Sequence, residues 1–230
     1  MKEEPTRRKL WLSAAIPGFM VFLCWMVFIL EKGSGANFAV FGIFPREWDG
    51  LKGILFSPFL HSDLNHLVNN SVPLLVLGTA LFYFYPVQAL RVILISLFTE
   101  GILVWFFARD SYHIGASGVV YSLAFFLFAS GILRKDKRLS ILSLLVVFLY
   151  GGMVWGIFPQ KGHISWESHF AGAFCGVFLA VLYRGSPAFL VPEKNAIGAD
   201  DPDWDYDPGE GWYDYLPPGV HYDFKKKENE

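Results

Sequence analysis

Residues 115–133, GASGVVYSLAFFLFASGIL, carry no charged side chain and are almost all apolar or small. An α-helix needs about 20 such residues to cross a hydrocarbon core of about 30 Å, so this stretch predicts a membrane-spanning helix. Similar apolar stretches lie at about 10–30, 64–84, 87–108, 138–157 and 167–184. Lipid offers no partner to an unpaired backbone amide, and the runs lack the alternation of a β-barrel. We therefore predict an all-α membrane protein with a bundle of six transmembrane helices.

The composition supports a membrane protein, because 53% of the residues are hydrophobic and 18% are aromatic. The formal net charge of −2 combines unlike parts, since eleven acidic residues stand against four lysines from Glu193 onward. Both cysteines, Cys24 and Cys175, lie inside apolar runs. We therefore expect neither a disulfide framework nor a cysteine-based metal site.

The lysines and arginines beside the six segments predict the orientation of the chain. Ten of them fall on the side of the N-terminus and five on the other, and the densest cluster is RKDKR at 134–138. Cytoplasmic loops carry the excess of Lys and Arg, so we expect both termini in the cytoplasm. The short first segment and compact loops suit a bacterial inner membrane.

The chain divides into three predicted regions. Residues 1–9 form a cytoplasmic N-terminus, 10–184 the helical domain, and 185–230 an acidic tail. The tail mixes Asp, Pro and Gly with aromatic residues, which favours disorder, although Trp204 and Trp212 would also suit a docking segment. The first outside loop, about 31–63, is long, and such loops tend to be functional or to fold upon themselves.

The first group of unusual polar residues lies where the second segment begins, in HSDLNHLVNN. His66 and Asn70 are four residues apart, so they share one helix face and could direct hydrogen-bond donors at one point. Asn69 could replace Asn70, and His61 lies close by in the sequence. Capping of the helix start is the structural alternative for these residues.

The second group is Gly115-Ala116-Ser117-Gly118, at the start of the fourth segment. Glycines on both sides of a serine remove side chains that would crowd its hydroxyl. Tyr121 lies one turn beyond Ser117, where its ring could support a neighbouring side chain. Tight helix packing alone would also explain these small residues.

The third group starts at His169 in the sixth segment, followed by Gly172 and Gly176. The glycines form a seam of small residues that allows close helix approach, and His169 lies one turn before it. If the seam faces the fourth helix, the imidazole can approach the Ser117 hydroxyl and take its proton. A packing or proton-path histidine is the alternative.

Together the three groups supply a nucleophile, a base and donors for a developing oxyanion, which are the parts that acyl transfer needs. We expect no Asp or Glu in a membrane segment where it could orient His169. The sequence therefore indicates a two-residue Ser-His catalyst, with the imidazole oriented by packing, for which Tyr121 is a candidate.

At these residues the sequence resembles the rhomboid family of intramembrane serine proteases, over about residues 10–184. The resemblance rests on three patterns in order, which are His-x4-His-x3-Asn as His61, His66 and Asn70, Gly-x-Ser-x as Gly115 to Gly118, and His-x2-Gly-x3-Gly as His169, Gly172 and Gly176. It implies a six-helix rhomboid-like bundle that hydrolyses transmembrane protein substrates within the bilayer, without metal or cofactor.

The resemblance also implies roles for single residues. Ser117 would attack the scissile carbonyl, His169 would act as base and then as acid, and His66, Asn70 and the Ser117 N–H would form the oxyanion hole. Tyr121 matches the aromatic residue that stacks on the imidazole, and His61 matches a structural or water-retaining histidine. The chain departs from the family in the first outside loop, where Arg46 and Trp48 replace an adjacent Trp-Arg pair. His113 matches no family role and is interpreted as a loop histidine.

Three other functions remain as alternatives. An inactive rhomboid-like protein would bind membrane clients without cutting them, although client binding requires neither Ser117 nor His169. A metal-dependent hydrolase could use His61, His66 and His169, but their spacing is poor for joint ligation and no HExxH motif occurs. A channel or transporter with a polar relay would move a solute and would not react with a fluorophosphonate.

Overall fold

The computed structural model describes residues 5–159 and 165–185. The predicted tail, 185–230, and the first residues of the N-terminus therefore lie almost wholly outside the described residues. Within Lys9–Leu190, which forms one compact unit, the described chain is helical, and its β-type pairing is one isolated bridge between Ile43 and His113. The helices are α1 (Pro5–Ser34), α2 (Gly53–Phe56), α3 (Leu64–Phe84), α4 (Pro86–Phe107), α5 (Ser117–Arg134), α6 (Lys137–Tyr150) and α7 (Trp166–Leu182).

Four helices of the described chain are long and apolar enough to cross a membrane, namely Arg7–Ser34 within α1, then α3, α4 and α5. The helix α7 is apolar but shorter. The predicted fifth segment, 138–157, is not one α-helix, because α6 ends at Tyr150 and a 3₁₀ helix follows over Gly151–Ile157. Two successive glycines at 151 and 152 explain the change, since glycine disfavours the α-helix interior. The count of six spans thus stays a prediction.

The helix α5 occupies the centre of the bundle and contacts α3, α4, α6 and α7. In the apolar stretch of α5, 61% of the residues are buried, compared with 39% in α3 and 39% in α4. Some of its inward side chains are fully buried, among them Leu123, Phe126 and Leu127. The outer helices leave many large apolar side chains exposed, as expected where lipid replaces water.

Glycines set the closest helix contacts. A Cβ placed on Gly172 would collide with the backbone oxygen of Gly118, and one on Gly176 would collide with that of Ser122. The seam predicted on α7 therefore does face α5. Gly78 of α3 similarly receives the ring of Pro17 in α1, whose Cγ would lie 2.7 Å from an added Cβ.

The loop at about 31–63, which the sequence predicts to lie outside, folds upon itself, and this was one of its two predicted outcomes. It contains 3₁₀ turns at Phe38–Phe41, Trp48–Lys52 and Ser57–Phe59 and the short helix α2. Backbone bonds between Ile43 and His113, with N···O distances of 3.0 and 2.8 Å, join this loop to the segment that leads into α5. The loop therefore helps to position the start of α5.

Candidate active site

The start of α3 is ordered by a helix cap. The Asp63 carboxylate accepts a hydrogen bond from the backbone N–H of His66 at 2.9 Å, and the Ser62 hydroxyl donates to the same carboxylate at 2.7 Å. These two donors, the backbone N–H first, hold the pKa of Asp63 below its usual value. The Asn70 amide donates to the His66 carbonyl at 3.0 Å. The predicted capping role thus belongs to Asp63, while the His66 ring has the Ser62 hydroxyl 3.3 Å from its Nδ1.

His66 and Asn70 converge on the loop before α5. An added Cβ on Gly115 would lie 2.6 Å from His66 Nε2 and 3.6 Å from Asn70 Nδ2. Gly115 also has φ +112°, a conformation that side chains rarely adopt, and its N–H donates to the Ser57 carbonyl at 2.8 Å. Both donors therefore lie next to the backbone two residues before Ser117, while Asn69 is exposed.

Ser117 is the first residue of α5, where a backbone N–H has no partner within the helix. Its side chain is half-buried and lines a cavity of about 1140 Å³ that also takes in His66, Asn70, Tyr121 and His169. Further lining residues include the exposed Asp63 and Arg109, so the cavity opens at the protein surface.

His169 lies against Tyr121, with ring centroids 4.2 Å apart and planes inclined by 7°. Its Nδ1 is 3.1 Å from the carbonyl oxygen of Gly156. A carbonyl oxygen can only accept, so Nδ1 carries the proton and donates, which leaves a lone pair on Nε2 of the neutral ring. This is the tautomer that a general base acting through Nε2 requires.

The structure thus brings Ser117, His169, Tyr121, His66 and Asn70 around one cavity. Among the described residues no hydrogen bond joins the Ser117 hydroxyl to His169. Hydrogen bonds of catalytic groups are often long without substrate and shorten in the reacting complex.

His61 lies behind His66 and is buried, with 1% of its surface exposed. The two rings meet edge to face with centroids 5.0 Å apart. Neither ring nitrogen of His61 has a hydrogen-bond partner among the described residues. Burial first, and the neighbouring His66 second, lower the pKa of His61 to about 4. The lowered pKa favours the neutral form of the ring, and the structural or water-retaining role of His61 stays a prediction.

A buried acidic residue of this region was missed in the sequence. Glu100, in the middle of α4, is 5% exposed and accepts a hydrogen bond from the Ser168 hydroxyl. The expectation that no Asp or Glu in a membrane segment could orient His169 did not consider Glu100. Its contact is with Ser168, the neighbour of His169, and not with His169 itself. A carboxyl group in an apolar helix is costly in lipid, and this was the signal that could have revealed it.

His113 lies in the loop between α4 and α5, as interpreted from the sequence, and is only 3% exposed. Its Nε2 donates to the Arg109 carbonyl at 3.0 Å, and its Nδ1 accepts from the Ser165 hydroxyl at 2.6 Å. Burial is the main cause that lowers the pKa of His113, which favours this neutral form. His113 thereby links the loop before Ser117 to the residue that caps α7.

Arg46 and Trp48, where the chain departs from the family pattern, contact the end of α4. Arg46 donates to the Ala108 carbonyl at 2.7 Å and pairs with Asp110. Trp48 is 82% exposed, and its ring centroid lies 6.2 Å from that of Trp105. These contacts join the loop between α1 and α3 to the end of α4.

The fold and this site define a multi-pass membrane protein with a polar cavity between its helices. The family model of the rhomboid domain matches residues 48–186, which are more than half of the chain. The chain therefore belongs to the rhomboid family.

The chain is also similar to proteins of other organisms. An uncharacterized protein of Mycobacterium tuberculosis is 32% identical over 204 residues, which cover 84% of this chain and 82% of that one. An uncharacterized protein of Mycobacterium leprae is 30% identical over 210 residues, covering 86% and 82%. The rhomboid-related protein 1 of Caenorhabditis elegans is 32% identical over 137 residues, covering 55% of this chain and 38% of its own.

Proposed function

We propose that this protein is an intramembrane serine endopeptidase that cleaves transmembrane protein substrates with Ser117 as nucleophile and His169 as general base. One observation carries the proposal. The His169 ring, held by Tyr121 and by the Gly156 carbonyl, has its free lone pair on Nε2 and shares a cavity with the Ser117 hydroxyl.

The reaction would proceed through an acyl-enzyme. His169 Nε2 takes the proton of Ser117 as Oγ attacks the scissile carbonyl carbon, and a tetrahedral oxyanion forms. Collapse of this intermediate breaks the C–N bond, and the imidazolium gives its proton to the leaving amine. Water then attacks the ester, again with His169 as base, which releases the new carboxylate and restores Ser117.

The oxyanion would be stabilised by His66, Asn70 and the backbone N–H of Ser117. The approach of both side chains to Gly115 supports this role, because preorganised donors beside the nucleophile are what a developing negative charge needs. Removal of one such donor typically costs about 10²- to 10³-fold in rate.

The substrate would be a transmembrane segment cut near its outer end at a small residue. A helical peptide bond is hydrogen-bonded and shielded, so the segment must unwind before Ser117 can reach it. A cavity of about 1140 Å³ that reaches the surface is roomy enough for several unwound residues.

The proposal also covers the number of membrane spans and the side of the membrane on which the termini lie. The helix α6 with its 3₁₀ extension and α7 would complete six spans, with both termini in the cytoplasm of a bacterial inner membrane. Residues 10–184 would then form the protease domain, and 185–230 a cytoplasmic tail.

Fluorophosphonate labelling tests the proposal. We expect the purified protein to be labelled at Ser117, and expect Ser117→Ala to abolish both labelling and cleavage of a reconstituted transmembrane peptide. His169→Asn should do the same, whereas Ser130→Ala, in the same helix but away from the cavity, should behave as the parent. Equal cleavage by Ser117→Ala and the parent would refute the assignment. A folded parent that is neither labelled nor active would favour the client-binding alternative.

A further inference from the structure

Glu100 is a buried acidic residue that the proposed mechanism leaves unused. It lies in the apolar helix α4, one turn beyond Ser96, and its side chain is buried. Polar and ionisable groups at such depth are expensive, so a function is the first hypothesis for them.

The Glu100 carboxyl group fits between two residues that flank the proposed catalytic pair. On one side Oε1 accepts the hydrogen bond of the Ser168 hydroxyl. On the other side the carboxyl group packs on Gly118, where an added Cβ would lie 2.5 Å from Oε1 and 2.7 Å from Cγ. Gly118 follows Ser117 and Ser168 precedes His169, so one carboxyl group contacts the neighbours of both residues.

The turn that carries His169 has a second anchor on a different element. Ser165 caps α7 by accepting from the Ser168 N–H at 3.3 Å, and its hydroxyl donates to His113 at 2.6 Å. Glu167 of the same turn lies 3.5 Å from Arg109. The bond from Ser168 to Glu100 joins this turn to α4 directly before His169.

We propose that Glu100 is a positioning residue, which sets the separation and orientation of Ser117 and His169 through its contacts with Gly118 and Ser168. This inference rests on the proposed protease function. Misplacement of a reacting group by about 1 Å can cost about 10²-fold in rate, so a bond one residue from the base has a measurable effect.

A set of variants separates positioning from simple stabilisation. Glu100→Leu removes the acceptor while it keeps most of the bulk, Glu100→Gln keeps an acceptor oxygen, and Ser168→Ala removes the donor. Ser96→Ala is the matched control, because Ser96 also lies in α4 and makes a buried hydrogen bond of 2.6 Å to a serine of another helix, Ser122 of α5. Each protein is measured by its melting temperature and by fluorophosphonate labelling, resolved into maximal rate and half-saturating concentration.

We expect Glu100→Leu and Ser168→Ala to lower the maximal labelling rate by about 10- to 100-fold, with a half-saturating concentration near that of the parent. Glu100→Gln should retain most of the rate. The double variant Glu100→Leu/Ser168→Ala should be no slower than the slower single variant, because both remove one bond. Ser96→Ala should label at the parental rate although it also loses a buried hydrogen bond.

Three results would overturn the inference: parental labelling by Glu100→Leu, equal losses in Ser96→Ala, or equal losses in Glu100→Gln and Glu100→Leu. If Glu100→Leu does not fold, Ser168→Ala decides in its place. The ¹⁵N NMR shifts of the His169 ring, assigned with His169→Asn, give a readout that needs no activity. They should change in Ser168→Ala and not in Ser96→Ala. If the parent protein is inactive but the His169 shifts change in Ser168→Ala, only the protease proposal is refuted. If the parent is active and the shifts do not change, only the role of Glu100 is refuted.

Discussion

The imidazole of His169 lies parallel to the ring of Tyr121, with centroids 4.2 Å apart, and its Nδ1 is fixed by the Gly156 carbonyl. Two independent contacts thus hold the His169 ring. Neither contact involves a carboxylate, so in the proposed Ser-His pair ring stacking and one backbone oxygen would take the place of the aspartate of a triad.

The Tyr121 ring is the first point to test. Tyr121→Leu should lower the cleavage rate by up to about tenfold, because an aromatic pair contributes about 0.5–1.5 kcal/mol beyond its burial. Tyr121→Phe keeps the stacked ring and should remain near the parent. The measurement is kcat for a reconstituted transmembrane peptide. An equal loss in the Phe variant would mean that the hydroxyl, and not the ring, matters.

Gly115 is the point where the backbone allows no side chain. Gly115→Ala would place a Cβ 2.6 Å from His66 Nε2 on a backbone with φ +112°. We expect a loss of stability of about 1–3 kcal/mol from backbone strain. The labelling rate should also fall at least about tenfold, since His66 must move.

A matched glycine provides the control for Gly115. Gly18 in α1 has no atom within 4 Å of an added Cβ, so Gly18→Ala should leave the labelling rate unchanged. Thermal unfolding and labelling are measured for both variants. Parental labelling by a folded Gly115→Ala protein would contradict the proposed place of His66.

His61 predicts an acid-sensitive fold. Burial lowers the pKa of folded His61 to about 4, whereas the pKa of a histidine in the unfolded chain is about 6.5. The unfolded state therefore binds a proton first as the pH falls below about 6.5, and the free energy of unfolding decreases until the folded state also titrates near pH 4. The total loss is of the order of 3 kcal/mol.

The His61→Phe variant isolates this contribution. It keeps an aromatic ring against His66 and removes the titration, so its melting temperature should fall less than that of the parent between about pH 6.5 and pH 4. Parallel pH profiles for the two proteins would show that His61 does not titrate as predicted.

Asp63 predicts a second pH dependence with a different origin. Because its pKa in the folded state is depressed, its stabilisation of α3 is fully present above the unfolded pKa of about 3.9 and is lost as the pH falls through the folded value. Asp63→Ala should lower the melting temperature near neutral pH, and the difference from the parent should shrink in acid. Asp63→Asn keeps a capping oxygen and should lie close to the parent. A difference for the Ala variant that is constant with pH would contradict the carboxylate cap.

The membrane spans could be predicted from local sequence because length and apolarity alone decide whether a helix suits lipid. The runs that became α3, α4 and α5 illustrate this, since each keeps nearly its predicted boundaries. The prediction of the fifth segment as one helix was less accurate, because hydrophobicity does not distinguish an α-helix from the 3₁₀ helix that begins at Gly151.

The kinds of residue that could do chemistry were also visible in the sequence, since a hydroxyl and an imidazole stand out in apolar helices. Their surroundings were decided by tertiary packing. The bond between Glu100 and Ser168 joins positions 68 residues apart, and that between His113 and Ser165 joins positions 52 apart. Periodicity along one helix reports which face a residue occupies, but the partner across the interface depends on how two helices meet. Here the glycines at 118 and 172 determine that meeting.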